Sequence, residues 1–124
     1  MALDHETAVR NTLADAIDAA VNAAGTGNCV FQTSGDAEVA TIVLSATAFG
    51  AASSGTITLA STTDDTSATG GTVSKFKFET GANTRIFGGT VTPVAGGGDM
   101  EMSTLSVGAG DTVSITSFTY SSSA

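Results

Sequence analysis

One histidine, His5, and one cysteine, Cys29, stand in a chain of 124 residues. A His/Cys zinc centre takes four ligands, so one of each cannot close such a site within one chain. A Ser-His-acid triad would need His5 to meet a nucleophile and an acid from distant strands. In the first turn of a predicted helix, an exposed histidine needs no such role. Cys29 opens an apolar run, which favours a buried, inert thiol, and no activating base neighbours it in sequence. The carboxylates carry more chemical potential, because two acids at the right separation suffice for glycoside hydrolysis. Asp99 and Glu101 flank Met100, and Asp64-Asp65 sits in a Thr-rich loop. Calcium wants several oxygens, which such a loop supplies, so Asp64 and Asp65 are weak candidates for holding a cation. No Asp-x-Asp-x-Asp-Gly loop accompanies them, and adjacent acids in loops more often solvate a turn or cap an amide. Gly96-Gly97-Gly98 and Gly108-x-Gly110 lack the following Gly-Lys-Ser/Thr of a phosphate loop and read as turns. The inventory points away from an enzyme, and no cofactor is implied.

The elements that would position these residues begin with a helix, expected over residues 4–24. Val9, Leu13, Ala16, Ile17, Ala20, Val21 and Ala24 recur at helical spacing and form one apolar stripe. Asp4 is a fair N-cap, and Gly25 supplies the stop expected past a C-terminus. The stripe marks Val9, Leu13, Ile17 and Val21 as candidate interface residues, either capping the β-layer or meeting a partner.

After Gly27 the chain reads as strand. Seven strands are expected, over 29–33, 38–48, 55–60, 72–80, 85–92, 99–105 and 111–120. In the clearest, Phe76 and Phe78 point one way and Lys75, Lys77 and Glu79 the other. Gly88-Gly89 suggests a bulge. The last strand changes phase, since Phe118 and Tyr120 sit on the opposite parity from Val113 and Ile115. A bulge near Thr116 or Ser117 would restore one face; otherwise both faces are covered there. Polar turn segments punctuate the strands. The expected fold is mainly β, an antiparallel β-sandwich or barrel of about seven strands with one N-terminal α-helix. Residues 1–27 carry the helix and its connection, and 28–124 the β-part of the same domain.

Composition narrows the partners. Twelve acids against four bases give a net charge of −8. Phosphate affinity rests on Lys and Arg, so this balance argues against nucleic acid, and it repels anionic membranes. Charged residues make up only 13%, so the solvent face is Thr and Ser, as suits a secreted, surface or virion β-domain. Large apolar residues are few, which predicts a thin core that gains from homo-oligomeric burial. No basic segment followed by an apolar one marks a signal peptide, and no long apolar run marks a membrane span. Synthesis and folding in a cytoplasm are expected. Without Trp and with only Tyr120 as tyrosine, an aromatic platform for sugars is weakly supported.

The whole chain resembles a group of small tailed-phage and prophage virion proteins. The resemblance is carried by an ordered set of pieces: the helix Ala8-Val9-Arg10-Asn11-Thr12-Leu13-Ala14-Asp15-Ala16-Ile17-Asp18-Ala19, the turn Ala48-Phe49-Gly50-Ala51-Ala52-Ser53-Ser54-Gly55-Thr56, the segment 67–72 before Phe76, the strand Ile86-Phe87-Gly88-Gly89-Thr90-Val91, and 107–119 near the C-terminus. It implies a place in the virion and no catalytic residue. Within the virion, a capsid decoration or cement role is favoured, with the major capsid protein as partner, a small homo-oligomer such as a trimer as the functional unit, and the capsid surface as location. A tail, neck or fibre component of the same particle is the alternative. A secreted module that adheres to a glycan or host surface ranks third, and a glycosidase last.

Overall fold

The computed structural model describes residues 6–45, 47–98, 100–102, 104–115 and 118–121. One helix, α1 (Thr7–Asn22), precedes ten short strands: β1 (Asn28–Gln32), β2 (Glu38–Leu44), β3 (Thr56–Thr58), β4 (Thr62–Thr63), β5 (Gly71–Thr72), β6 (Lys75–Glu79), β7 (Arg85–Pro93), β8 (Met100–Met102), β9 (Ser106–Val107) and β10 (Thr119–Ser121). The fold is mainly β with one helix. Six strands form a curled sheet in the order β4-β2-β1-β6-β7-β8. Its ladders are antiparallel except for β7 against β8, which run parallel, so the sheet is mixed rather than wholly antiparallel. Two further ladders, β3 with β10 and β5 with β9, are two-stranded and antiparallel.

Alternation in β6 sets the inner face. Phe76 and Phe78 are buried, while Lys75 and Lys77 keep part of their side chains in water. Phe78 is fully enclosed. Its ring stacks on Phe87 at 4.7 Å and Phe118 at 5.1 Å, and it lies 5.7 Å from Phe49. Six aromatic side chains thus meet across the sheet, the 48–55 segment and the β10 segment, if Tyr120 on Phe87 is counted. Phe31, Ile42, Leu44 and Ile57 complete the same cluster. A core short of large aliphatics is built on this aromatic stack, where ring pairs add to area burial.

Several expectations shift in detail. The expected strand over 72–80 is interrupted at Val73 and Ser74, which part β5 from β6. Gly88 and Gly89 pair regularly with Lys77 and Phe76, so they form no bulge. The irregularity lies opposite the Phe78/Glu79 step, where Phe87 and Arg85 are the partners and Ile86 is the extra residue. The segment expected as one strand over 111–120 changes partner instead. Val113 bridges Asp65, and the Leu59 N–H then donates to Phe118 O at 2.8 Å beside β10. The bulge expected near Thr116 or Ser117 falls outside the described residues. The helix N-cap is Glu6 rather than Asp4, and it makes no side-chain cap bond; Asp4 also lies outside the described residues.

Candidate functional site

Among the described residues, the candidate catalytic groups do not converge. His5 and Asp99 lie outside the described residues. Cys29 is fully buried on β1, and burial pushes its thiol far above the ordinary range, which leaves it protonated. Glu101 turns both oxygens to a turn, accepting from Ala95 N and Gly97 N at 3.2 Å each. Asp65 accepts from Thr41 N with Oδ2 and from Ser67 N with Oδ1, both at 2.9 Å. Its carboxylate ties the chain after β4 to β2 and shapes the following turn. Asp64 is exposed beside it. Among the described residues, no group of three or more His, Cys, Asp or Glu side chains is placed to hold a metal. A half-open cleft of about 410 Å³ lies between β8 and residues 104–115, lined by Phe31, Met100, Met102, Val107, Asp111 and Ile115 among others. Its Asp111 accepts from Gly108 N at 2.7 Å, so this acid too serves a turn.

The helix is attached to the β-part in an unusual way. Asn11, Asp15, Asp18 and Asn22 recur at spacings of four, three and four, which puts them within about 60° of one another on the helix. Each accepts one backbone N–H from the segment between β2 and β3. Gly55 N donates to Asn11 Oδ1 at 2.7 Å, Ala52 N to Asp15 Oδ1 at 3.0 Å, Phe49 N to Asp18 Oδ1 at 3.1 Å, and Ala48 N to Asn22 Oδ1 at 3.2 Å. Asn22 Nδ2 also donates to Asp18 Oδ1 at 2.9 Å, which fixes two of the four side chains. The row of side-chain oxygens acts as a strand edge. It satisfies N–H groups of an extended segment that carries buried Ala48 and Phe49. The segment is also tied to β3 and the residues after it: Gly50 N donates to Thr58 O, Ser53 and Thr56 exchange both bonds, and Ala60 N donates to Ala48 O.

The apolar stripe expected to face inward therefore splits. Val21 and the neighbouring Ala14 are fully buried, and Ile17 packs against the core. Val9 and Leu13, at the other end, are 45% and 42% exposed. Val9, Leu13, Ala16 and Ala20 centre about 160° around the helix from the four amide acceptors. The polar ladder is absent from the expectations above. Its signal was available as Asn/Asp recurring at helical spacing, the pattern ordinarily assigned to the solvated face.

The helix presents two branched aliphatic side chains, Val9 and Leu13, while its opposite side is clamped to the segment over 48–55. Among the described residues, no helix is long and apolar enough to cross a membrane. No protein-family model, curated protein or solved structure matches the chain.

Proposed function

We propose that this chain is a non-catalytic structural component of a tailed-phage particle, a capsid decoration (cement) protein that binds the assembled head through the major capsid protein and stabilises it. It would act as a small homo-oligomer, with a trimer favoured, on the capsid surface after synthesis in the host cytoplasm. One observation carries the binding role: Val9 and Leu13 stand exposed on a helix held rigid by four side-chain-to-backbone hydrogen bonds. A preorganised apolar row loses little entropy on docking, which favours an interface. The virion assignment rests on the ordered sequence pieces, two of which, the helix and the turn over 48–56, are the partners in this clamp. We further propose that the fold completes an antiparallel sandwich, with β3 and β10 as the opposing layer. Ile57 and Phe118 bring that layer onto Phe76 and Phe78.

The test compares particles with and without the protein. Bound protein should raise the temperature at which packaged DNA is released, because a ligand of the assembled shell stabilises it by mass action. Leu13→Asp should fold normally and fail to attach. Equal release temperatures remove the cementing role. Density only at the tail replaces the head assignment with the tail, neck or fibre one, and unchanged attachment of Leu13→Asp removes the helix from the interface.

A further inference from the structure

Three of the chain's four cationic side chains, Lys75, Lys77 and Arg85, line one concavity of about 650 Å³ over β1, β6 and β7. It lies on the outer face of the six-stranded sheet, since Lys75 and Lys77 alternate with the buried Phe76 and Phe78. Gln32 and Asp36 form one wall, and Gly88 and Gly89 the floor. Glycine at 88 has a steric reason. A Cβ there would meet Arg85 Nη2 and Phe76 O, each at 2.6 Å, so only glycine lets the guanidinium lie across the strand.

The three cations are unequally satisfied. Lys75 is paired with Asp36, and Lys77 with Glu79 at 3.1 Å. Arg85 is exposed and has no carboxylate partner among the described residues. The place beside it lacks one acid. The fourth cation, Arg10, lies against Gly55 at the helix clamp. Copies of a chain with net charge −8 repel one another. A contact between them is therefore favoured where it sets their few cations against a neighbour's acids, and three of those cations gather at this concavity. The acid must also be uncommitted. Asp64 is exposed and makes no hydrogen bond or ion pair among the described residues, unlike Asp65, Glu38, Glu101 and Asp111; Glu6, also exposed and with its carboxylate unbonded, stands at the helix N-terminus, where the helix dipole already favours its charge. It follows β4, at the far edge of the same sheet, four strand positions from β7, roughly 19 Å at the usual strand spacing.

We propose that the glycine-floored concavity is the acceptor half of a head-to-tail contact between copies of this chain, in which Arg85 of one copy takes Asp64 of the next. Donor and acceptor lie apart on the molecule, so the contact is heterologous, and a rotation that closes gives a ring. This rests on the homo-oligomeric part of the proposed function and gives it a geometry. A long polyanion fits less well. It would extend past the concavity into the acidic remainder of the surface, whereas a single loop stays within about one Debye length, some 8 Å at physiological salt.

The experiment measures self-association of the purified full chain by sedimentation equilibrium at 0.15 M and 1 M NaCl (about 8 and 3 Å of screening length). Wild type should associate at the lower salt and weaken at the higher. Arg85→Glu and Asp64→Lys should each weaken association at least about tenfold, and the double variant, which restores opposite charges at every contact, should recover most of the loss. Both positions are exposed, and thermal melts verify that the variants fold. Wild type that stays monomeric, single variants that associate like wild type, or a double variant without recovery each overturn the contact. Wild-type association that survives all the variants leaves the oligomer in place and removes only this contact. A monomeric wild type removes both while leaving shell binding to its own assay. Calorimetric titration with inorganic phosphate and with single-stranded DNA covers the other occupants. Binding of either that Arg85→Glu abolishes, with no self-association, replaces the contact with an anion site.

Discussion

Asp18→Ala removes the acceptor at the middle of the helix clamp. Asp18 Oδ1 receives Phe49 N at 3.1 Å and Asn22 Nδ2 at 2.9 Å, so its loss strips the partner from one backbone N–H and frees the side chain that holds Ala48 N. Hydrogen bonds to a charged group contribute about 1.5–3 kcal/mol, and an N–H left without a partner near the buried Phe49 keeps its desolvation penalty. A loss of about 2 kcal/mol is expected. For a domain of this size, each kcal/mol moves Tm by roughly 3–5 °C, giving a drop of about 6–10 °C. Asp18→Asn retains an acceptor oxygen and should lose less than half as much. Leu13→Ala, at a 42% exposed position, should lose under about 1 kcal/mol. Calorimetric melts of the three variants rank them, and amide hydrogen exchange localises the effect, since the Phe49 and Ala48 N–H groups should lose protection first. The clamp is refuted if Asp18→Ala melts within about 1 °C of wild type, or if Leu13→Ala is the more damaging change.

Phe78→Ala should destabilise by about 3–5 kcal/mol in a denaturant titration, because a fully buried ring stacked on Phe87 and Phe118 leaves a cavity. Gly81→Ala should lower Tm sharply, since its Cβ would fall 2.4 Å from Ala24 O and 2.9 Å from Thr26 O, both backbone atoms that cannot swing away. Asp36 is held below the usual carboxylate range by its hydrogen bond to Lys75 and then by that ammonium's charge. A depressed folded-state pKa stabilises the fold above the unfolded value, about 3.9, and that contribution is lost as pH falls through the folded one. Lys75→Ala should return the Asp36 titration toward its ordinary value in a carboxyl NMR pH series.

Legibility followed the length scale of the interaction. The helix, its Gly25 stop and the alternation in β6 are local patterns, visible because burial repeats every 3.6 or 2 residues. The irregularity falls at Ile86 and not at the expected Gly88-Gly89 because glycine marks both bulges and close approaches, and only the register against β6 separates the two. The parallel pairing of β7 and β8 and the partner change between Val113 and Phe118 depend on where the chain returns, which no local window contains. The concavity was hidden for the same reason. Lys75 and Lys77 could be read as the wet side of a strand, but Arg85 joins them only across the β6-β7 ladder, above a glycine that leaves it room.

The helix shows why an apolar stripe alone does not fix which way a helix faces. Burial of Val9 and Leu13 would gain a few kcal/mol at most. Turning the helix to bury them would leave the partly buried N–H groups of Ala48, Phe49 and Gly55 without their acceptors, and three such losses at about 1–3 kcal/mol each match or exceed that gain. The polar row therefore wins the inner position, beside the flank where Ala14, Ile17 and Val21 meet the core. An amphipathic helix held by its polar side must leave apolar surface outside. On a monomer this is a liability; on a protein that docks, it is the surface through which it does so.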